Sequence, residues 1–142
     1  MPLYLIASIA GQGVVFDADQ VDSVVDIGEV VAVPRAERSV RGLTALRSRV
    51  VTVVDTRLAL GLDPMPSHVR RAVISKQDGH YYAMLVDALE DIEMFETSPM
   101  PHVPPSQGRW SRAANGMVVR DGEPLLVLDL TRLVPQATPQ AA

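Results

Sequence analysis

The sequence predicts an all-β protein made of two small, similar barrels packed side by side. One reason is the spacing of its apolar runs, which are about five to eight residues long and separated by turn signals, as in strands. A second is composition. Apolar residues make up 47% of the chain with only 4% aromatic, and Val and Leu dominate, a strand-forming bias. The third is internal repetition. Asp19-Gln-Val-Asp-Ser-Val24 returns 68 positions later as Asp87-Ala-Leu-Glu-Asp-Ile92. The stretch Val50–Leu58 returns within Pro124–Leu133, with Asp129 standing 74 positions after Asp55 and Gly116 keeping the same offset from Gly42. The change of offset matches the extra proline-rich material around Pro99–Pro105. Two repeats of about 65 residues would each be marginal alone and are expected to fold as a pair, with a natural binding groove at their seam.

The elements follow in order. Met1–Phe16 carries no charged side chain, and its apolar stretch lacks the basic flank of a signal peptide, so Tyr4–Ile9 is expected to be a first strand. Gly11-Gln-Gly13 turns it into Val14–Ala18, followed by strands at Val21–Ile27, Val30–Val33, Val40–Leu46 and Val50–Val54. Asp55 then caps a short helical turn that stops at Gly61, with Pro64 beyond. The second set comprises Val69–Ser75, Tyr81–Val86, Leu89–Met94, Gly116–Arg120 and Pro124–Leu128. Asp78-Gly79 and Asp121-Gly122 suit type I′ hairpins, whose central residues take positive φ. Asp129 caps the turn Thr131–Val134, which Pro135 stops. Ser98–Ser106 is expected to be an extended connector, Trp110 to fill the gap between the units, and 135–142 to be a disordered tail. The chain is thus expected to be a single domain, 1–142, with sub-barrels at 12–66 and 69–134.

Composition also excludes chemistries. There is no cysteine, which removes disulfides, thiolate catalysis and cysteine zinc sites. A net charge of −4 argues against nucleic acid as a partner. No run approaches the ~20 apolar residues of a membrane helix. His68, His80 and His102 lack metal-ligand spacing, no serine sits in a Gly-x-Ser-x-Gly elbow, and no phosphate-loop or dinucleotide fingerprint occurs. No cofactor, metal or catalytic residue is expected. A binding or scaffolding module fits better than an enzyme or a small-ligand-binding barrel, which would need convergent polar groups such as His80 with Asp87.

The stretch Val40-Arg-Gly-Leu-Thr-Ala-Leu-Arg47-Ser-Arg-Val-Val-Thr-Val-Val-Asp55-Thr-Arg57, running on to Gly61, resembles the CheW-like coupling proteins of bacterial chemotaxis. Val21–Ile27, Val86-Asp87 with Leu89 and Ile92, and the closing Leu125–Leu133 are similar to further family segments, so the resemblance spans roughly 3–134. It implies two SH3-like five-stranded barrels. It also implies a cytoplasmic, non-enzymatic scaffold at receptor arrays, joining chemoreceptor tips to the regulatory domain of a chemotaxis histidine kinase, with self-association through barrel edges. The partner-binding residues it implies are Val21, Ser23, Val24, Gly42, Arg47, Ser48, Val50, Arg57 and Val86. Where the family pattern has Asn, Gly and Pro, this chain has Ala45, Ser48 and Thr52, and Ser23 replaces an acidic residue. Ser48 implies a different or strained turn. A divergent relative that keeps one partner, or serves another chemosensory pathway, is the alternative these departures imply.

Overall fold

The computed structural model describes residues 2–99 and 109–135. Ten strands run in the order β1 (Leu3–Ile9), β2 (Gln12–Asp17), β3 (Ser23–Asp26), β4 (Val40–Leu46), β5 (Arg49–Asp55), β6 (Arg71–Gln77), β7 (His80–Leu85), β8 (Ala88–Met94), β9 (Ala114–Arg120) and β10 (Glu123–Leu128). Two single-turn helices, α1 (Thr56–Ala59) and α2 (Trp110–Ala113), interrupt them. The connector residues 100–108 and most of the tail expected at 135–142 lie outside the described residues.

The strands form two five-stranded sheets, ordered β8-β1-β2-β10-β9 and β3-β6-β7-β5-β4. This corrects the division into consecutive sub-barrels at 12–66 and 69–134. The repeats are β1–β5 and β6–β10, but each sheet takes the first hairpin of one repeat and the last three strands of the other. The exchange is sealed by two parallel pairings, β2 with β10 and β5 with β7. The chain changes sheets just after β2 and just after β7, at the two copies of the echoed motif that begins at Asp19 and Asp87. Gln20 at the first crossover donates to Asp129 Oδ1 and accepts from the Leu130 amide, each at 3.0 Å. At the second, the Asp87 carboxylate accepts from the Ala10 amide at 2.7 Å and pairs with Arg57. Neither repeat has a complete sheet of its own, so the two must fold together.

The exchange accounts for the runs that are apolar on both strand faces. Tyr4, Ile6, Val15, Val118, Leu125 and Val127 fill the interior of the first sheet. Val51, Val53, Ala72, Ile74, Ala83 and Leu85 fill the second. Their neighbours in sequence, among them Leu5, Phe16, Val54, Val73, Met84 and Leu128, meet in a third core shared by both sheets. One face of each central strand is buried in its own sheet and the other against the partner sheet, as continuous apolar strands require. Trp110 is buried in the shared core, at the seam where it was expected.

Each sheet curls shut through one isolated bridge. Val31 pairs with Leu43 on β4, and Ser98 pairs with Met117 on β9. Both closing strands carry a bulge, at Arg41 and Asn115, immediately before a glycine. A Cβ on Gly42 would lie 2.2 Å from the Val31 carbonyl oxygen, and one on Gly116 2.9 Å from that of Ser98. The paired glycines therefore mark the two places where another backbone approaches too closely for a side chain. The strand expected at Val30–Val33 is reduced to the Val31 bridge, since Pro34 follows and cannot extend the ladder. Arg120 ties β9 to β8 across the first closure, its Nη1 3.1 Å from Glu90 Oε2 and its Nε 2.9 Å from Glu93 Oε2.

Candidate functional site

The region that the family resemblance singles out is the β4–β5 hairpin. All four tight hairpins, at Ala10-Gly11, Arg47-Ser48, Asp78-Gly79 and Asp121-Gly122, have both central residues at positive φ. That is the type I′ geometry, which matches the strand twist. Three of the four have glycine second. Ser48 occupies the same conformation at φ 67° without glycine's freedom. The turn is thus retained and strained rather than replaced. Ser48→Gly is expected to raise stability by about 1 kcal/mol, the cost of a side chain in the left-handed region. The check is the midpoint of urea unfolding, and an unchanged midpoint would mean the turn carries no strain.

The strands leading to this turn present an apolar strip. Ala45 stands opposite Val50, Val31 opposite Leu43, and Leu43 and Ala45 are two residues apart on one face. Val31 is 65% exposed and Val50 52%. Val50 shares its face of β5 with Thr52, which pairs with Tyr82 of the shared core, so the strip is the uncovered margin of the face that joins the two sheets. At its tip, Arg47 is exposed and makes no ion pair among the described residues. Arg49, two residues on, is engaged: its guanidinium lies 4.5 Å from the centre of the Tyr81 ring, with Lys76 at 5.5 Å. Arg47 is therefore the hairpin cation left available to a partner.

The remaining residues implied by the resemblance fall elsewhere. Val24 stands opposite Val73 of the shared core and is 37% exposed, a counterpart on the β3 margin of the same sheet. It is three strands away from Val50, so the two belong to separate margins. Ser23 is half-buried on β3, and Val21 packs against the shared core. Three others sit at less accessible places. Val86 is wholly buried in the shared core, because the crossover into β8 passes beneath the seam. Gly42 is buried at the barrel closure. Arg57 is half-buried and committed to Asp87, with its Nε 3.2 Å from Asp87 Oδ2.

Acidic groups that suggest chemistry are structural. Asp55 accepts from the Leu58 amide at 3.1 Å and the Met65 amide at 2.9 Å. Asp129 accepts from the Thr131 amide at 3.0 Å. Burial alone would raise the Asp129 pKa, but hydrogen bonds from Thr131 and Gln20 and the charge of Arg132 outweigh it and hold the carboxyl below its ordinary value. Among the described residues no group of three or more His, Cys, Asp or Glu is placed to hold a metal ion, and no helix is long and apolar enough to cross a membrane.

Two five-stranded sheets fused through a common core, with apolar margins and an exposed guanidinium at a hairpin tip, define a binding module. Residues 3–138 match the CheW-like domain, and the chain belongs to that family. The family is one of non-catalytic scaffold and adaptor proteins of chemotaxis, and this protein is not an enzyme. Among curated relatives, the chain is 21% identical over 127 residues to a protein named Chemotaxis protein CheW from Thermotoga maritima, covering 89% of this chain and 83% of that one. Among solved structures it is similar to the crystal structure of scaffolding protein TtCheW from Thermoanaerobacter tengcongensis. That similarity has a TM-score of 0.81 and 21% identity, and covers 94% of this chain and 92% of that chain. It establishes the fold.

Proposed function

We propose that this protein works in the cytoplasm as the coupling element of a chemosensory array. It would join the cytoplasmic tips of methyl-accepting chemoreceptors to the regulatory domain of a chemotaxis histidine kinase. The observation that carries this reading is the continuous apolar strip Val31–Leu43–Ala45–Val50, which ends at Arg47, a residue with no ion pair among the described residues. An amphipathic partner helix can lay its apolar face along such a strip. A carboxylate on that helix or on a neighbouring loop can take the Arg47 fork in a charge-assisted hydrogen bond. Ala45, in place of the family's Asn, makes the strip more apolar opposite Val50. The Val24 margin, three strands away, offers a second surface, as a protein joining two partners needs. Self-association into rings through sheet edges is compatible with this arrangement.

The reading that this is a divergent relative keeping one partner draws on Ala45, Ser48 and Ser23, which alter one or other margin while the core pattern persists. Arg47→Glu is expected to leave the fold intact and to weaken binding of one partner by about 1–3 kcal/mol, the scale of a hydrogen bond to a charged group. Calorimetric titration against the kinase regulatory domain and a receptor tip fragment, separately, makes the test. Equal affinities for wild type and variant with both partners would remove Arg47 from the interface.

A further inference from the structure

Away from both margins, where α1 of one sheet meets α2 and the 3-10 turn Leu130–Arg132 of the other, lies a cavity of about 240 Å3. Four arginines from three separate segments wall it: Arg38, Arg109, Arg112 and Arg132, with Glu37 the one acidic residue of the lining. Its floor is formed partly by Leu60 and Leu133 of the shared core. Gathering a third of the chain's twelve arginines around one cavity is notable in a protein of net charge −4.

Most of these cations are uncompensated. Arg132 has a distant pairing with Asp129 at 3.7 Å, and Arg38, Arg109 and Arg112 make no ion pair among the described residues. Like charges held together raise the energy of the folded state unless an anion offsets them. One wall is also held in place. The Arg109 amide donates to the Leu60 carbonyl at 2.5 Å, and the Arg109 side-chain stem crosses Gly61, where an added Cβ would lie 3.2 Å from its Cγ. The site is concave, lies where elements of the two sheets meet, and sets four exposed arginines beside the apolar Leu60 and Leu133.

We infer that this seam cavity binds a small, multiply charged phosphate compound. Guanidinium forks match phosphate oxygens in planar, paired hydrogen bonds, and several around one cavity favour an anion carrying more than one charge. The cavity is large enough for a pyrophosphate-sized group and too small for a helix. Because it spans both sheets, a ligand there would stiffen the seam between them. The inference is independent of the coupling role.

The test is calorimetric titration of the full chain with inorganic pyrophosphate at moderate salt, with citrate as a non-phosphate polyanion. The expected result is saturable one-to-one binding of pyrophosphate, weakened at least tenfold by Arg112→Glu and unchanged by Arg70→Glu, a residue that lines a different cavity beside Ile27 and Val69. Both substituted residues are exposed, so both variants should keep the wild-type melting transition. Absence of saturable binding, or binding indifferent to Arg112→Glu, would overturn the site. Citrate binding as tightly as pyrophosphate would overturn its assignment to phosphate.

Discussion

Val53→Asp is expected to abolish cooperative folding. Val53 is fully buried in the interior of the second sheet, paired with Gly42 on β4 and Ala83 on β7. Its neighbours there are Val51, Ile74 and Leu85, none of which can donate to a carboxylate. Asp55, two residues on, is tolerated because amide donors surround it, whereas a carboxylate at position 53 would have none. Burying a polar group without a partner costs roughly 2–7 kcal/mol, and a charge costs more. A domain of this size has only about 5–15 kcal/mol of net stability to lose. Because the sheets exchange hairpins and share a core, loss of the second should carry the first with it. Far-UV circular dichroism on heating is expected to show no cooperative transition. A wild-type melt would contradict the burial of position 53 in the interior of the second sheet.

Gly42→Ala should be the most damaging single-methyl change. The added carbon would lie 2.2 Å from the Val31 carbonyl oxygen and 2.8 Å from Val30 Cγ1, on a backbone with φ of 154°. The first contact is to backbone, which cannot swing aside without breaking the paired Val31–Leu43 bonds of 2.8 and 2.9 Å that close the sheet. Strain and overpacking together are expected to cost about 3 kcal/mol. Gly116→Ala should cost less, since its nearest contacts are at 2.9 Å and its φ lies outside the strained region. Urea unfolding of the two variants checks the ranking, and a Gly42→Ala protein as stable as wild type would contradict the account of closure. Because Gly42 lies inside the family's partner motif, any binding loss in this variant should be interpreted only alongside its stability.

Local signals made most of the strands legible. Glycine turns set three of the four hairpins, and Val-rich runs set the strands, so each of the ten was expected near its observed place. Val30–Val33 failed because a short apolar run before Pro34 satisfies strand periodicity without having a ladder to join. The exchange of hairpins was not legible at all. Periodicity says that both faces of Val50–Val54 or Leu125–Leu128 are buried, but not against what. Pairing β2 with β10 instead of β5 leaves every local pattern unchanged. The duplication was visible in the echoes at Asp19 and Asp87, yet only the structure shows that these are the crossovers. At the site, Arg47 and Val50 came from the family resemblance of the hairpin motif, and both lie exposed at or beside the β4–β5 turn. The packing constraints on Gly42 and Val86, the Val31 carbonyl and the shared core, come from distant parts of the chain and left no local signal. The arginine cavity had no sequence signature, since Arg38, Arg109 and Arg132 converge only through the fold.

The central claim is that one molecule holds a receptor and a kinase together. It is tested most directly by recovering the tagged protein from its native cells and identifying what copurifies by mass spectrometry, with the Arg47→Glu variant in parallel. The account predicts that wild type brings down a chemotaxis-type histidine kinase and chemoreceptors together, and that the variant loses at least one of them. Recovery of only one partner class, or of neither, by the wild-type protein would contradict a coupling role.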